Sequence, residues 1–235
     1  MIFRPQIHMP QRVKTYVGNL DAIMEGGVPE GNVVIIFGKP GSMKSSLAYS
    51  ILYNNMEKEE KKTLYVCLEQ SSASLVGNME GLGFKPPMGH SNMNILDIGI
   101  LRKYMPQIGY SAWIELFRVD IQNLKKNFDF EVLAIDSLPV LEMLAKFKEP
   151  REELFYFFEW LRELKCTTFI VHEETDNPFE YGEDYLADGV IHLDLRRDEK
   201  SVNLYLGIAK MRKTQHRRGY FPLIFGNGKF ELVID

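Results

Sequence analysis

The feature that most constrains the fold is a row of short, unbroken apolar runs, each followed by helical periodicity. "NVVIIF" (32–37), "TLYVCL" (63–68), the weaker "NILDIG" (94–99), "EVLAID" (131–136) and "CTTFIVHE" (166–173) read as strands. Between them, 44–62, a short stretch around 72–82, 111–128 and 151–165 carry helical spacing. Strands with no polar alternation are buried on both faces, and alternation with helices places those helices on both sides of a mostly parallel sheet. After residue 188 the pattern changes. "GVIHLDLRRD", "SVNLYLGIAKMR" and "GYFPLIFGNGKFELVI" follow one another without a helix, and "GNGK" (226–229) is a hairpin signal. The expected architecture is α/β, with a C-terminal antiparallel extension of the same sheet.

At 235 residues the chain can bury one large core, and its net charge of −4 gives no general pull toward nucleic acid or anionic lipid. No apolar run approaches a membrane span, and the start, "MIFRPQIHMPQR", lacks the apolar segment of a signal peptide. Cys67 and Cys166 both sit in apolar β-type runs, as buried reduced thiols do, so a cytoplasmic location is expected.

The first strand runs straight into "GKPGSMKSS" (38–46), one residue short of a phosphate-binding loop: Gly38, Lys44 and Ser45 keep their places, and Met43 stands where the second glycine belongs. Chance would produce this relaxed pattern in roughly one chain in eight of this length, so the context carries the argument. A buried strand before it and a helix after it aim the free N–H groups of the helix start at the loop. Gly38, Lys39, Pro40, Gly41, Ser42, Met43, Lys44, Ser45 and Ser46 are the expected nucleotide cradle. Lys44 is placed to reach the β- and γ-phosphates, and the Ser45 hydroxyl to ligate Mg²⁺. If position 43 needs positive φ, methionine there stores roughly 1–3 kcal/mol.

Two carboxylates complete the set. "EVLAIDSL" ends its strand in Asp136, a metal support at the edge where ligands of open parallel sheets bind. "LYVCLEQ" brings Glu69 to the same edge, where it can accept a proton from an attacking water; Gln70 can orient that water but cannot act as a base. In "SVNLYLGIAKMR", strict alternation puts Val202, Leu204, Leu206 and Ile208 on one face, with Lys210 and Arg212 continuing it as two neighbouring cations.

With these residues in view, "VKTYVGNLDAIMEGGVPEGNVVIIFGKPGSMKSS" resembles the opening of KaiC-like ATPases of the RecA superfamily, through Gly18, Leu20, Asp21, Gly26, Gly27, Pro29 and Gly31. "LEQ", "LAIDSL", "YLADGVIHL" and "KMRKTQH" continue the likeness in order to the end of the chain. The resemblance implies a RecA-like P-loop domain over 13–235 after an N-terminal extension (1–12), and ATP and Mg²⁺ as ligands. It also implies slow ATP hydrolysis and a homo-oligomer, a hexameric ring in the family, in which Lys210, Arg212 and His216 reach the neighbouring subunit's nucleotide. Met43 and Gln70 depart from the family pattern and bear on hydrolysis more than on binding. The resemblance covers one domain where the clock protein has two, so clock function does not follow.

Two other readings stand beside a nucleotide-controlled oligomeric switch. One is a nucleotide-bound scaffold that does not hydrolyse. The other is a DNA-binding recombinase paralogue, which is disfavoured. "EETDNPFEYGED" (173–184) carries six acids and no base, and would repel phosphates. "LPVLEMLAKFKEPREE" sets Lys146, Lys148 and Arg151 against four acids. The protein partner is not legible.

Overall fold

The computed structural model describes residues 10–86, 92–98, 110–197, 199 and 201–234. The first nine residues of the expected N-terminal extension, together with Gly99, Asp198 and Asp235, lie outside the described residues.

A nine-stranded sheet forms the centre. In chain order its strands are β3 (Val33–Gly38), β4 (Thr63–Cys67), β5 (Met93–Asp97), β6 (Val132–Asp136), β7 (Thr167–Glu173), β8 (Gly189–Arg197), β9 (Val202–Met211), β10 (Tyr220–Gly226) and β11 (Lys229–Leu232). Their spatial order is β11-β10-β9-β8-β3-β7-β6-β4-β5. A small ribbon of β1 (Arg12–Val13) and β2 (Val28–Pro29) precedes it. From β5 to β8 the pairing is parallel. From β8 to β11 it is antiparallel. The tail therefore extends the sheet as expected, with β8 itself still parallel to β3.

Helices cover both faces because the strands are apolar on both. Val34 and Ile36 of β3 enter the layer formed with α1 (Lys44–Glu59) and α2 (Ser72–Gly81). Val33 and Ile35 enter the opposite layer, with α3 (Tyr110–Phe128), α4 (Leu138–Ala145) and α5 (Pro150–Glu163). The last helix, α6 (Glu183–Leu186), is a single turn before β8. The β10–β11 turn is built as "GNGK" demands, with Asn227 at φ 51° and Gly228 at φ 71°.

Two expectations need correction. The segment after Asp136, left out of the helical stretches read from the sequence, is the helix α4, with Ser137 at its N-cap and a proline in its first turn. The alternation on β9 also does not persist. Ile208 pairs with Ile191 but Lys210 pairs with Val190, so Ala209 is an extra residue in a β-bulge. Beyond it Met211, not Lys210, joins Leu206 and Ile208 in the core. Lys210 and Arg212 share a face with each other, but it is not the face of Ile208.

Candidate functional site: a phosphate-loop cleft at the sheet edge

The C-terminal ends of β3, β7, β6 and β4 converge on one cleft of about 320 Å³. Its lining includes Pro40, Gly41, Met43, Lys44, Ser45, Ser46, Glu69, Asp136, Val171 and Glu173. The strand order places β3 between β7 and β8, so Gly38 leaves the sheet at its centre. A Cβ on Gly38 would stand 2.3 Å from the Leu193 carbonyl oxygen, so the strand can end here only in glycine. The loop then turns tightly: Ser42 N donates to Lys39 O at 3.1 Å, Gly41 has φ 83°, and Met43 has φ 65° and ψ 26°.

Met43 thus occupies the left-handed conformation that the missing glycine would adopt freely. The turn belongs to the N-cap of α1, so its strain weighs on the fold and need not weaken a ligand. Methionine has no oxygen to cap the helix, no acid lies in the first turn, and the first N–H groups have no side-chain cap. They and the positive end of the helix face the loop, the arrangement that holds anions.

Lys44 is 9% exposed, and its Nζ reaches back to Lys39 O at 3.1 Å. Burial pulls its pKa down, while the field of Glu173, Glu69, Asp136 and Glu174 opposes that shift. Asp136 is 3% exposed; burial raises its pKa against hydrogen bonds from Tyr65 and Ser45. Tyr65 OH donates to Asp136 Oδ2 at 2.6 Å, whereas Oδ1 is buried with no partner. A buried acceptor left unpaired costs about 1–3 kcal/mol. A hard cation beside Asp136 and the Ser45 hydroxyl would satisfy it, and two oxygen ligands with phosphates completing the shell suit Mg²⁺. The residues fit that ion.

Glu69 lies on the exposed rim and accepts a hydrogen bond from Ser137 Oγ. Gln70 is drawn aside: its Oε1 accepts from Ser74 Oγ at 3.0 Å and Asn78 Nδ2 at 3.1 Å, both on α2. Lys210, Arg212 and His216 do not line this cleft. Lys210 Nζ donates to the carbonyls of Asp184, Tyr185 and Ala187, closing the end of α6. Arg212 donates to Asp188 Oδ1 at 2.8 Å and Tyr185 O at 3.0 Å. His216 is half-buried, and its Nδ1 lacks a partner.

Two residues that bear on the cleft escaped the sequence reading of the site. Tyr65 orients Asp136, and its signal was a phenol inside an otherwise apolar strand. Glu173 closes the strand read over 166–173 but has no role there in the sequence reading, although it ends β7 beside Gly38 and lines the cleft.

Fold and loop together define a RecA-like P-loop domain. Residues 13–232 match the family described as ATPase: KaiC, and the chain belongs to it. A UPF0273 protein of Sulfurisphaera tokodaii is 27% identical over 220 residues, covering 87% of this chain and 76% of that one. The circadian clock oscillator protein KaiC of a Picosynechococcus strain is 26% identical over 230 residues, but the chain spans only 43% of its length. Among solved structures, a KaiC-like protein of Pyrococcus horikoshii superposes with a TM-score of 0.82 at 26% identity, over 96% of this chain and 100% of that one. Among the described residues no helix is long and apolar enough to cross a membrane.

Proposed function

We propose that the chain binds ATP with Mg²⁺ in this cleft and hydrolyses it slowly, as a homo-oligomeric switch set by nucleotide state. The observation that carries the reading is the unpaired, buried Asp136 Oδ1 beside Ser45, in the same cleft as the buried Lys44. The loop N–H groups and Lys44 hold the phosphates. Ser45 and Asp136 hold the metal ion, which neutralises phosphate charge when bound. Glu69 accepts the proton of the attacking water, and its Ser137 hydrogen bond fixes the carboxylate. Lys210, Arg212 and His216 serve the neighbouring subunit's cleft, as the family resemblance implies; a hexameric ring is the assembly it points to. To do so Lys210 and Arg212 exchange their in-chain bonds for phosphate contacts.

A non-hydrolysing scaffold is the second reading, favoured by Gln70, whose amide oxygen is committed to α2. DNA binding draws no support from the acidic 173–184 segment, where Glu173 lines the cleft and Glu183 is buried. Titrating Mg·ATP into the parent and into Lys44→Ala tests the site. Binding should be lost in the variant, and equal affinity of the two proteins would exclude the cleft.

A further inference from the structure

His192 is absorbed by none of these roles, yet it is the centre of a connected set. It lies on β8 beside β3, and its ring stacks on Phe37, the residue before Gly38, with centroids 4.1 Å apart and planes at 12°. Its Nε2 meets Glu174 Oε2 at 3.2 Å, and its Nδ1 meets Tyr220 OH at 2.7 Å. A carboxylate only accepts, so Nε2 carries the proton, and in the neutral ring Nδ1 accepts from the phenol. Both ends of this chain of bonds are anchored. Glu174 N donates to Gly38 O at 2.9 Å, fixing the root of the phosphate loop, and its carboxylate is among those acting on Lys44. Tyr220 begins β10, directly after the 212–219 segment that carries Arg212 and His216. Its ring crosses β9 at Gly207, the pairing partner of His192, where a Cβ would meet the ring at 2.7 Å. A glycine at 207 thus makes room for the phenol to reach the histidine.

We propose that His192 is a positioning residue that ties the phosphate loop to the 212–219 segment through the link Glu174–His192–Tyr220. This rests on the nucleotide reading of the cleft and on the role of 212–219 toward a neighbouring subunit. The link acts at both ends. It turns the Glu174 carboxylate toward His192, limiting its pull on Lys44 and its repulsion of phosphate. It also holds the start of β10, and so the far end of the segment that presents Arg212 and His216. The cleft of one subunit and the residues it offers the next are joined by two hydrogen bonds across β8, β9 and β10.

The test compares His192→Phe, Tyr220→Phe and their double variant by ATPase kinetics and thermal unfolding, with His192→Gln as the conservative replacement. Phenylalanine keeps the stack on Phe37 and removes both hydrogen bonds at 192. Tyr220→Phe removes a single oxygen. His192→Phe should raise KM for ATP and lower kcat, each by about fivefold. Tyr220→Phe should lower kcat by roughly threefold with KM little changed. The double variant should be no worse than His192→Phe, because the members of one link are not additive. His192→Gln, which can both donate and accept, should recover most of the loss. Additive losses in the double variant, or a fall in Tm with KM and kcat unchanged, would overturn the link. Lys44→Ala run in parallel separates the two failures. If it abolishes binding while the His192 and Tyr220 variants match the parent, the link alone is wrong; if it binds ATP normally, the cleft reading falls with it.

Discussion

The parallel half of the sheet and its antiparallel tail carry the same kinds of charged side chain but treat them oppositely. At the ends of β3, β4, β6 and β7, charges are gathered and left short of partners: Asp136 Oδ1 is unpaired, and Lys44 has one carbonyl for three donors. In the tail the cations are satisfied within the chain, Lys210 by three carbonyls and Arg212 by Asp188 and Tyr185. Buried polar groups without partners are costly, so a fold keeps them where a ligand completes them. By that criterion the cleft is built for a ligand, whereas Lys210 and Arg212 gain one only by giving up bonds they already have.

The sharpest way to break this contrast is to remove a group whose proposed role is chemical and not structural. Glu69→Gln keeps size and hydrogen-bonding capacity but removes the proton acceptor, so turnover should fall by about 10²- to 10⁴-fold with ATP affinity retained. Similar turnover by parent and variant, with contaminating ATPase excluded, would remove Glu69 from the mechanism, and no turnover by the parent would leave the non-hydrolysing scaffold as the better reading.

The next largest effect tests the tail. Arg212→Ala should lower turnover by at least about tenfold with little loss of binding, if the side chain acts on a neighbour's phosphate. The fold should tolerate the change, because Asp188 keeps Arg162 and the Val33 N–H. Mixing Arg212→Ala with Glu69→Gln should restore part of the activity, since some interfaces then pair an intact Glu69 with an intact Arg212. No recovery with subunit exchange verified, or concentration-independent turnover by a proven monomer, would confine Arg212 to its in-chain bonds.

The same contrast explains what was legible in the sequence. The cleft was read from local patterns, since an apolar run ending in Gly38, Asp136 or just before Glu69 fixes both a strand and the edge it points to. The N-cap position of Met43 followed from motif spacing alone. Long-range and insertional features left no such trace. The hydroxyl of Tyr65 matters only because β4 pairs with β6. The bulge at Ala209 changes which side chain faces inward without any marker residue, and strict period-2 reasoning fails there. Eight residues of α4 were too few for helical spacing to show.

A buried charge can also be relieved by a proton instead of a ligand, and Glu142 sharpens the comparison in that way. Its Oε1 is buried without a partner, and burial together with Glu183 and Glu180 pushes its pKa up to about 8. A carboxyl raised above its unfolded value of 4.5 binds its proton more tightly in the folded chain. Its contribution to stability is therefore full below that unfolded value and is lost as pH rises through about 8. Glu142→Gln should flatten this loss, so that parent and variant diverge between pH 5 and 8, with the variant more stable at the upper end by on the order of 1–2 kcal/mol. Parallel Tm curves for the two proteins across that window would show that Glu142 does not titrate there.

The smallest effect is expected at Met43, and it asks whether the altered loop weakens the cleft or only the fold. Met43 holds φ 65° at the N-cap of α1, and its side chain packs against the core beside that helix. Glycine would relieve roughly 1 kcal/mol of left-handed strain. It would also remove the apolar contact and give the unfolded chain more freedom, each worth a similar amount in the other direction. The net change in stability from Met43→Gly should lie within about 1 kcal/mol of zero. If the positive φ is a property of the strand-to-helix turn, ATP affinity should shift by no more than about threefold, since strain common to bound and unbound chains cancels from the binding equilibrium. A tenfold or greater gain in affinity or turnover would show that methionine resists the bound conformation, and that the loop's departure from the family pattern restrains the site itself.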